Sequence, residues 1–343
     1  MLNQRNIHKT SLSLTIWLEK IPGQGEDALP INVQVSKTVS LLGVFDGMGG
    51  RSPKGWKNKK GRVHSGAYYA SRIAKDTVAD HFLSLTRKND HKLNDTAYMS
   101  ESFSEVIFLK LKMIADKYIG IPSLRGTLFS RLATTAAFAV TEHTGNKVSV
   151  DQFWIGDSRI YLLSPESGLS QLTRDDTRGE RQDSSHLFIN DLPLSKYLNG
   201  DKKFPLNHNR LEFELPCVVF VSTDGCYGYS RSPMDFEHQI LDSLIKSSDL
   251  ISWGKNMENI FREIAGDDVS MSLTALGWKE FDEMKNSFRD RLTFLEVNFI
   301  GPLNNFYQEG NDEMIKSLWS VYQLPYEKHL RDDDIPEGPG TNG

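Results

Sequence analysis

The chain has 343 residues, and its apolar share of 38% and charged share of 25% are typical of a soluble globular protein with one large domain or two medium ones. Its net charge of −5 argues against a dedicated nucleic-acid binder, and no apolar run approaches the roughly 20 residues of a membrane-spanning helix. The two cysteines, Cys217 and Cys226, fit neither a disulfide framework nor a zinc site. With no secretory signal after Met1, we expect a cytoplasmic protein that binds neither nucleic acid nor membrane.

The first half of the chain alternates between strand-like and helix-like patterns. Apolar periodicity predicts strands at 11–18 and 31–45, helices at about 64–87 and 102–119, and strands at 134–141, 147–155 and 159–163. Ser102 and Glu105 have the spacing of a capping box, which favours a helix start at that point.

The second half begins with a polar segment, 174–209, whose pattern assigns no element. The elements predicted after it are strands at 210–215 and 217–223, helices at about 234–247 and 251–265, and a strand at 268–278. This order lacks a regular β–α–β alternation. It therefore favours an α+β fold of stacked antiparallel sheets flanked by helices over a doubly wound parallel sheet.

The character of the sequence changes after Trp278. We predict a domain at 1–278, a helical C-terminal extension at 279–330 and a disordered tail at 331–343, where acidic residues precede a Pro- and Gly-rich end. The extension carries an aromatic and apolar cluster made of Trp319, Tyr322, Leu324 and Tyr326. Because exposed apolar patches are rare in monomers, we expect this cluster to pack on the parent domain. The oligomeric state is left open.

Four short segments place an aspartate at or beside the end of an apolar strand. These aspartates are Asp46, Asp157, Asp224 and Asp267. A carboxylate at a strand end is held rigidly and still reaches solvent, and Gly47 lets a backbone carbonyl approach a cation. Oxygen ligands select Mg²⁺ or Mn²⁺ over zinc or copper. One Asp-Gly pair alone is usually just a turn, but four strand-end acids favour a site for hard cations.

At these residues the chain resembles the type 2C (PPM) family of serine/threonine protein phosphatases, in the form common in bacterial members. The matching motifs occur in the family's order between about residues 26 and 278: Glu26-Asp27-Ala28, VFDGMGG at 44–50, Thr134-Thr135-Ala136, GDSRIYLL at 156–163, Leu172-Thr173-Arg174-Asp175, STDG at 222–225 and DDVS at 267–270. Agreement of this many motifs in order is far more specific than any one of them.

The resemblance implies a four-layer α-β-β-α sandwich and hydrolysis of phosphoserine and phosphothreonine in a phosphorylated protein. It implies two Mn²⁺ or Mg²⁺ ions and attack by the water between them, without a phosphoenzyme. The implied ligand roles are Asp46 bridging both cations, Asp224 and Asp267 completing the first, the Gly47 carbonyl binding the second with Glu26 and Asp27 reaching its water, and Asp157 serving a third, weaker cation.

The chain departs from the family at the position of a phosphate-binding arginine, which is Pro22 here. Lys20 is the nearest cation and is the residue we expect to contact the substrate phosphate, although it lacks the bidentate fork of arginine. The stretch 51–64 resembles a basic insertion that recruits acidic or phosphorylated substrate, unless it is only a solvated loop. Segment 174–209 would correspond to the family's variable flap, with Asp175, Asp176 and Asp183 as surface charges.

Two further interpretations stay open at this point. A catalytically weak member could act as a phosphoprotein-binding or partner-binding scaffold, which the missing arginine and the C-terminal helices would suit. The fold could also act on a small phosphoester or serve as a toxin or defence component. The complete set of Asp46, Asp224 and Asp267 favours an active enzyme, because a binding module needs no metal ligands.

Overall fold

The computed structural model describes residues 12–49, 55–57, 61–87, 95–118, 130–178 and 193–330. The strands in these ranges are β1 Leu12–Leu18, β2 Ile31–Gln34, β3 Val39–Val44, β4 Trp56–Lys57, β5 Val63–His64, β6 Ala136–Thr144, β7 Lys147–Ile155, β8 Arg159–Ser164, β9 Gly168–Gln171, β10 Asn207–Glu214, β11 Cys217–Ser222 and β12 Val269–Leu276. The helices are α1 Gly66–Arg87, α2 Thr96–Tyr118, α3 Asp224–Tyr227, α4 Pro233–Ile245, α5 Leu250–Ile264, α6 Phe281–Ser287, α7 Arg289–Leu295, a π-helical turn Glu296–Ile300, α8 Gly301–Glu309 and α9 Asp312–Tyr326.

Ten of the strands form two antiparallel sheets. Sheet I has the order β1-β12-β11-β8-β9, and sheet II has the order β10-β7-β6-β3-β2. The remaining two strands, β4 and β5, pair as a short antiparallel hairpin. Because β7 belongs to sheet II and β8 to sheet I, the turn that joins them crosses from one sheet to the other.

Because side chains alternate between the two faces of a strand, each sheet contributes to two separate hydrophobic cores. In β11, Val219 and Val221 face a core shared with strands of sheet II, whereas Val218 and Phe220 face the helices outside sheet I. Helices α1 and α2 cover the outer face of sheet II, and α4 and α5 cover that of sheet I. These layers confirm the predicted α+β fold with the order α-β-β-α.

Two predicted elements have different bounds in the structure. The run 31–45 is not one strand but the hairpin β2–β3, in which the Ser36 hydroxyl accepts hydrogen bonds from the backbone amides of the turn. Helix α2 begins at Thr96, where the Asp95 carboxylate caps the first turn, so the capping box predicted at Ser102 is wrong. The Ser102 hydroxyl lies within the helix, 2.7 Å from Nε2 of His81.

The C-terminal helices α6–α9 extend the outer layer of sheet I. Trp319, Tyr322 and Tyr326 are buried in the same hydrophobic core as α4 and α5, whereas Leu324 is 55% exposed and takes no part in it. The Tyr326 hydroxyl donates to the side-chain oxygen of Gln171 in β9 at 3.0 Å. Nowhere in the described ranges is there a helix whose length and apolar content would allow it to cross a membrane.

Candidate metal centre

The predicted acids occupy one end of the sandwich. Asp46, Asp157 and Asp224 each lie two residues beyond the ends of β3, β7 and β11, and Asp267 lies two residues before β12. The last pairs of the ladders show that these strand ends are neighbours. In sheet II, Val44 at the end of β3 pairs with Ala137, and the preceding Ala136 pairs with Ile155 at the end of β7. In sheet I, Ser222 at the end of β11 pairs with Met271 near the start of β12.

The acidic pair Glu26-Asp27 joins this end from the β1–β2 connection. Asp27 is buried, with 2% of its surface exposed, and its carboxylate is hydrogen-bonded to the side chain of Asp46. The Thr223 hydroxyl donates to Oδ2 of Asp27 at 3.0 Å, immediately before Asp224 in the chain. The structure therefore brings Asp27, Asp46 and Asp224 together from three separate parts of the sequence.

Burial and mutual repulsion favour the protonated forms of these carboxyl groups. Burial raises the pKa of Asp27 to about 7, and the charges of Asp268 and Asp224 contribute. Burial, followed by the charges of Asp27, Asp224 and Asp157, raises the pKa of Asp46 well above its ordinary value. Burial and then the charge of Asp224 do the same to the pKa of Asp157. A divalent cation would relieve this repulsion.

The donor chemistry at this end fits a hard divalent cation. The acids of this end offer only oxygen ligands, and Oδ1 of Asp157 is buried without a hydrogen-bond partner among the described residues. Among the residues that the structure describes, no three or more His, Cys, Asp or Glu side chains are placed so that they could hold one metal ion together. The acids are thus close enough to change one another's pKa, yet are not gathered around one point.

Backbone contacts hold the turns that carry Asp46 and Asp157. The Thr134 hydroxyl and the Thr135 amide donate to the Asp46 carbonyl at 2.6 and 2.9 Å. The Thr135 hydroxyl lies 2.8 Å from that of Ser158. The hydroxyls of this Thr-Thr pair therefore tie the two acidic turns to each other.

Gly47 lies where no side chain would fit. A Cβ at this position would lie 2.7 Å from the Glu26 carbonyl oxygen and 2.8 Å from that of Ala67. The lack of a Cβ brings the backbone after Asp46 against the Glu26-Asp27 segment. This close approach explains the glycine of the DGMGG turn without reference to a cation.

The two neighbouring acids of the DDVS motif have different surroundings. Oδ1 of Asp268 accepts the Lys20 amide at 2.8 Å, and Oδ2 accepts the Glu26 amide at 2.6 Å, so the Asp268 side chain orients the acidic pair. Asp267 is exposed, and its charge helps to raise the pKa of Glu26, after burial and the charge of Asp268. The Lys20 side chain is exposed, and only its backbone has a described contact with the site.

Several residues that support the site gave no signal in the sequence. The Ser65 hydroxyl donates to the Glu26 carboxylate, and the Arg72 guanidinium donates to the carbonyls of Gly25 and Glu26 at 3.2 and 3.1 Å. Both come from α1 or from the residue before it, and their contacts hold this end of α1 against the acidic pair. An arginine seven residues beyond a serine is too common a pattern to have predicted this role.

Asp175 and Asp176 are structural residues, so the prediction that they are surface charges is wrong. Both oxygens of Asp175 accept from the buried Arg159 guanidinium, at 2.8 and 2.7 Å. Asp176 accepts the Gly156 amide at 3.1 Å, directly beside Asp157. Asp183 lies outside the described residues.

The metal-free protein is expected to lose stability as the pH rises from about 4 to about 7. Asp27 has a pKa of about 7 when folded and an ordinary value of 3.8, so between these values the folded state holds a proton that the unfolded state has released. The stabilisation that this proton contributes is therefore fully present below pH 3.8 and is lost as the pH rises through about 7. The melting temperature in EDTA across this range measures the loss.

The matched variant for this experiment is Asp27→Asn, which has no titrating group at the position. Its melting temperature should depend less on pH across the same range, with the largest gain over the wild type at the alkaline end. A wild-type melting temperature that rises with pH, or equal slopes for both proteins, would contradict a raised pKa at Asp27.

Solved structures with the same architecture are serine/threonine phosphatases in several cases. Stp1 from Staphylococcus aureus is 15% identical over 81% of this chain and 100% of its own, with a TM-score of 0.56. PstP/Ppp from Mycobacterium tuberculosis is 16% identical over 78% and 98%, with a TM-score of 0.53. A sex determining protein of C. elegans is 14% identical over 80% and 67%, with a TM-score of 0.58. At these identities the likeness shows the fold alone.

Fold and strand-end acids together define the class of metal-dependent serine/threonine phosphatases. The family model described as protein phosphatase 2C matches residues 24–275, and the chain belongs to this family. The matched range begins beside Glu26 and ends within β12, after Asp267. No curated protein sequence matches the chain.

Proposed function

We propose that this chain hydrolyses phosphoserine and phosphothreonine in proteins at the end of the sandwich that carries Asp46. The observation that supports this most strongly is the mutual repulsion of Asp27, Asp46 and Asp224, which together with burial raises the pKa of Asp46. A family member without activity would have no need to keep buried acids in such a destabilising arrangement.

The proposed ligands of two Mn²⁺ or Mg²⁺ ions are those that the resemblance implies. Asp46 would contact both ions, Asp224 and Asp267 the first, and the Gly47 carbonyl the second, with Glu26 and Asp27 orienting bound water and Asp157 serving a third, weaker site. When bound, such ions polarise the phosphoryl group and lower the pKa of the attacking water. The chain itself fixes the geometry: Thr223 orients the Asp27 carboxylate, and Asp268 orients the Glu26-Asp27 backbone.

Binding of the substrate phosphate is assigned to Lys20. Its backbone is fixed by Asp268 beside the acidic pair, and its side chain is exposed. A lysine binds phosphate as a point charge and not through a bidentate fork, so we expect the substrate phosphate to bind more weakly than it would to an arginine.

Removal of divalent cations is expected to abolish hydrolysis of a phosphothreonine peptide. Activity should return on adding Mn²⁺ or Mg²⁺ in excess of EDTA, because the carboxylates alone would repel the phosphate dianion. Phosphate release measured against metal concentration tests this. A folded protein with no turnover at any Mn²⁺ or Mg²⁺ concentration would favour the alternative, a scaffold that binds phosphoprotein without cleaving it.

Asp267→Asn and Asp268→Asn form a pair that separates ligation from positioning. Asp267→Asn should raise the Mn²⁺ concentration needed for half-maximal activity about 10-fold or more, with little change in the melting temperature. Asp268→Asn should mainly lower the melting temperature, since an amide has one acceptor oxygen for the backbone amides of Lys20 and Glu26. Equal metal dependence in the two variants would remove Asp267 from the ligand set.

Cytoplasmic location remains part of the proposal. Cys217 and Cys226 are both free and buried. Burial raises the pKa of Cys217 to about 12 and that of Cys226 well above its ordinary value, so neither thiol is reactive. The basic stretch 51–64 and the flap segment 174–209 lie partly outside the described residues, and the tail 331–343 lies wholly outside them. A role for the basic stretch in recruiting phosphorylated substrate stays a prediction.

A further inference from the structure

A row of buried polar side chains leads from the C-terminal extension to the turn that carries Asp157. It begins at Tyr326 in α9, passes through β8 and ends at Tyr227 in α3. Both tyrosines are buried, with 1% and 3% of their surfaces exposed. Helix α9 lies outside the range 24–275 that matches the family model, so this connection depends on a segment beyond the matched range.

Tyr227 makes the contact with the acidic turn. Its hydroxyl donates to the Asp157 carbonyl at 2.6 Å and so fixes the backbone of that residue. The Asp157 carboxylate is the proposed ligand of the weaker cation, and its Oδ1 is buried with no hydrogen-bond partner among the described residues. The position of this carboxylate therefore depends on how its backbone is held.

Arg159 connects Tyr227 to β8. Its guanidinium carbon lies 4.0 Å from the centre of the Tyr227 ring. Nε and Nη2 donate to the two oxygens of Asp175 at 2.8 and 2.7 Å, and Nη1 donates to the Tyr161 hydroxyl at 3.3 Å. Because Arg159 is only 2% exposed, its cation–π contact is shielded from water, and the orientation of the guanidinium sets that of the ring.

The Tyr161 hydroxyl is the point at which the extension joins this row. Tyr161 and Gln171 are partners across the β8–β9 ladder, so their side chains leave the same face of sheet I. A hydrogen bond joins the side chains of Tyr161 and Tyr326. Since the Tyr326 hydroxyl donates to Gln171, Tyr161 is the donor in the bond between the two tyrosines. The Tyr161 oxygen then accepts from Arg159, so each hydroxyl orients the next group in the row.

The end of α9 is fixed against β9. The Ser170 hydroxyl donates to the Pro325 carbonyl at 3.0 Å, directly before Tyr326 in the helix. A phenylalanine at position 326 would keep the ring and its packing and remove only the hydroxyl. The Gln171 oxygen would lose this donor and the Tyr161 hydroxyl this acceptor, so the buried groups next to Arg159 would have to rearrange.

We propose that Tyr326 is a positioning residue for the metal centre, where its hydroxyl sets the position of Asp157 and so the affinity for the weaker cation. It acts through the row of side chains described above, which is Tyr161, Arg159 and Tyr227. This role rests on the proposed metal centre. A group that orients a metal ligand directly changes the affinity by about 10- to 100-fold, and we expect less from a residue that acts at a distance.

The test is a titration of the full-length chain with Mn²⁺, in which the electron paramagnetic resonance signal of the free ion counts the bound ions. Asp157→Asn should weaken the last ion to bind by about 10-fold or more, which identifies it as the ion at Asp157. Tyr326→Phe should weaken the same ion by about 5-fold and leave the tighter ions unchanged. In the Tyr227→Phe background, Tyr326→Phe should have almost no further effect, because both hydroxyls act along one route.

Tyr322→Phe is the matched control, since it removes another buried hydroxyl from the same helix. That hydroxyl donates to the Glu237 carboxylate in α4 at 2.6 Å. The control variant should therefore lower the melting temperature, as Tyr326→Phe does, and should bind Mn²⁺ as the wild type does. A difference in Mn²⁺ affinity between the two variants separates positioning from a loss of stability alone.

The role of Tyr326 is overturned if Tyr326→Phe binds every ion as the wild type does, or if Tyr322→Phe weakens the last ion equally. It is also overturned if the effects of Tyr326→Phe and Tyr227→Phe add. Unchanged Mn²⁺ binding in Asp157→Asn has the same consequence, since no ion would then depend on this turn. Failure of the whole metal centre gives a different result, because Mn²⁺ binding would be unchanged in Asp46→Asn as well.

Discussion

Asp46→Asn is expected to lower kcat/KM for a phosphothreonine peptide in Mn²⁺ by about 100-fold or more. Asp46 is the proposed ligand of both cations, and asparagine removes the charge that holds them. The same change should raise the melting temperature of the metal-free protein. Burial and the charges of Asp27, Asp224 and Asp157 raise the pKa of Asp46, and a neutral side chain relieves that repulsion.

These opposite signs separate a ligand from a structural residue. A variant that loses activity because it misfolds would melt at a lower temperature, whereas a lost ligand should leave a more stable metal-free protein. Asp282→Asn, which removes an exposed carboxylate on α6, is the matched control and should change neither quantity. Activity of Asp46→Asn within a few fold of the wild type would contradict the proposed centre.

The acids at the strand ends could be predicted because the strand signal is strong and local. Apolar runs rich in β-branched residues, such as 217–223, predict a strand, and the residue after such a run must lie near the end of that strand. The hairpin turn within 31–45 could not be predicted in this way. It contains neither Gly nor Pro, and the Ser36 hydroxyl closes it by a contact that many serines could make.

Other misses depend on contacts between distant parts of the chain. Thr223 reaches Asp27 and Ser65 reaches Glu26 only because two sheets and α1 bring them together. Asp175 lies in a polar stretch that is typical of a surface loop, yet its carboxylate pairs with the buried Arg159 at the start of β8. Periodicity reports which face of an element is buried, but not which polar side chains meet across the fold.

The C-terminal extension is joined to the sandwich by a buried ion pair that the sequence did not indicate. Arg291 of α7 donates to both oxygens of Glu237 in α4, at 2.7 and 2.9 Å, and the Tyr322 hydroxyl of α9 donates to the same carboxylate at 2.6 Å. Glu237 is fully buried. The Arg291 guanidinium also lies where a Cβ on Gly168 would be, so it packs directly on β9.

Arg291→Leu is therefore expected to destabilise the whole protein by about 3–5 kcal/mol, because it leaves the Glu237 charge buried without its cation. For a chain of this size the melting temperature should fall by about 4–7 °C. Thermal unfolding followed by circular dichroism measures this change. Arg289→Leu, which alters an exposed arginine of the same helix, should shift the midpoint by no more than about 2 °C.

The double variant Arg291→Leu/Glu237→Gln identifies the cause of the loss. A neutral glutamine still accepts the Tyr322 hydroxyl and needs no cation, so more than half of the stability lost in Arg291→Leu should return. If the double variant is as unstable as the single one, the loss comes from packing of the arginine on Gly168 and not from the unpaired carboxylate. If Arg291→Leu melts as the wild type does, α6–α9 contribute little to the stability of sheet I, and the extension would act as a separable module.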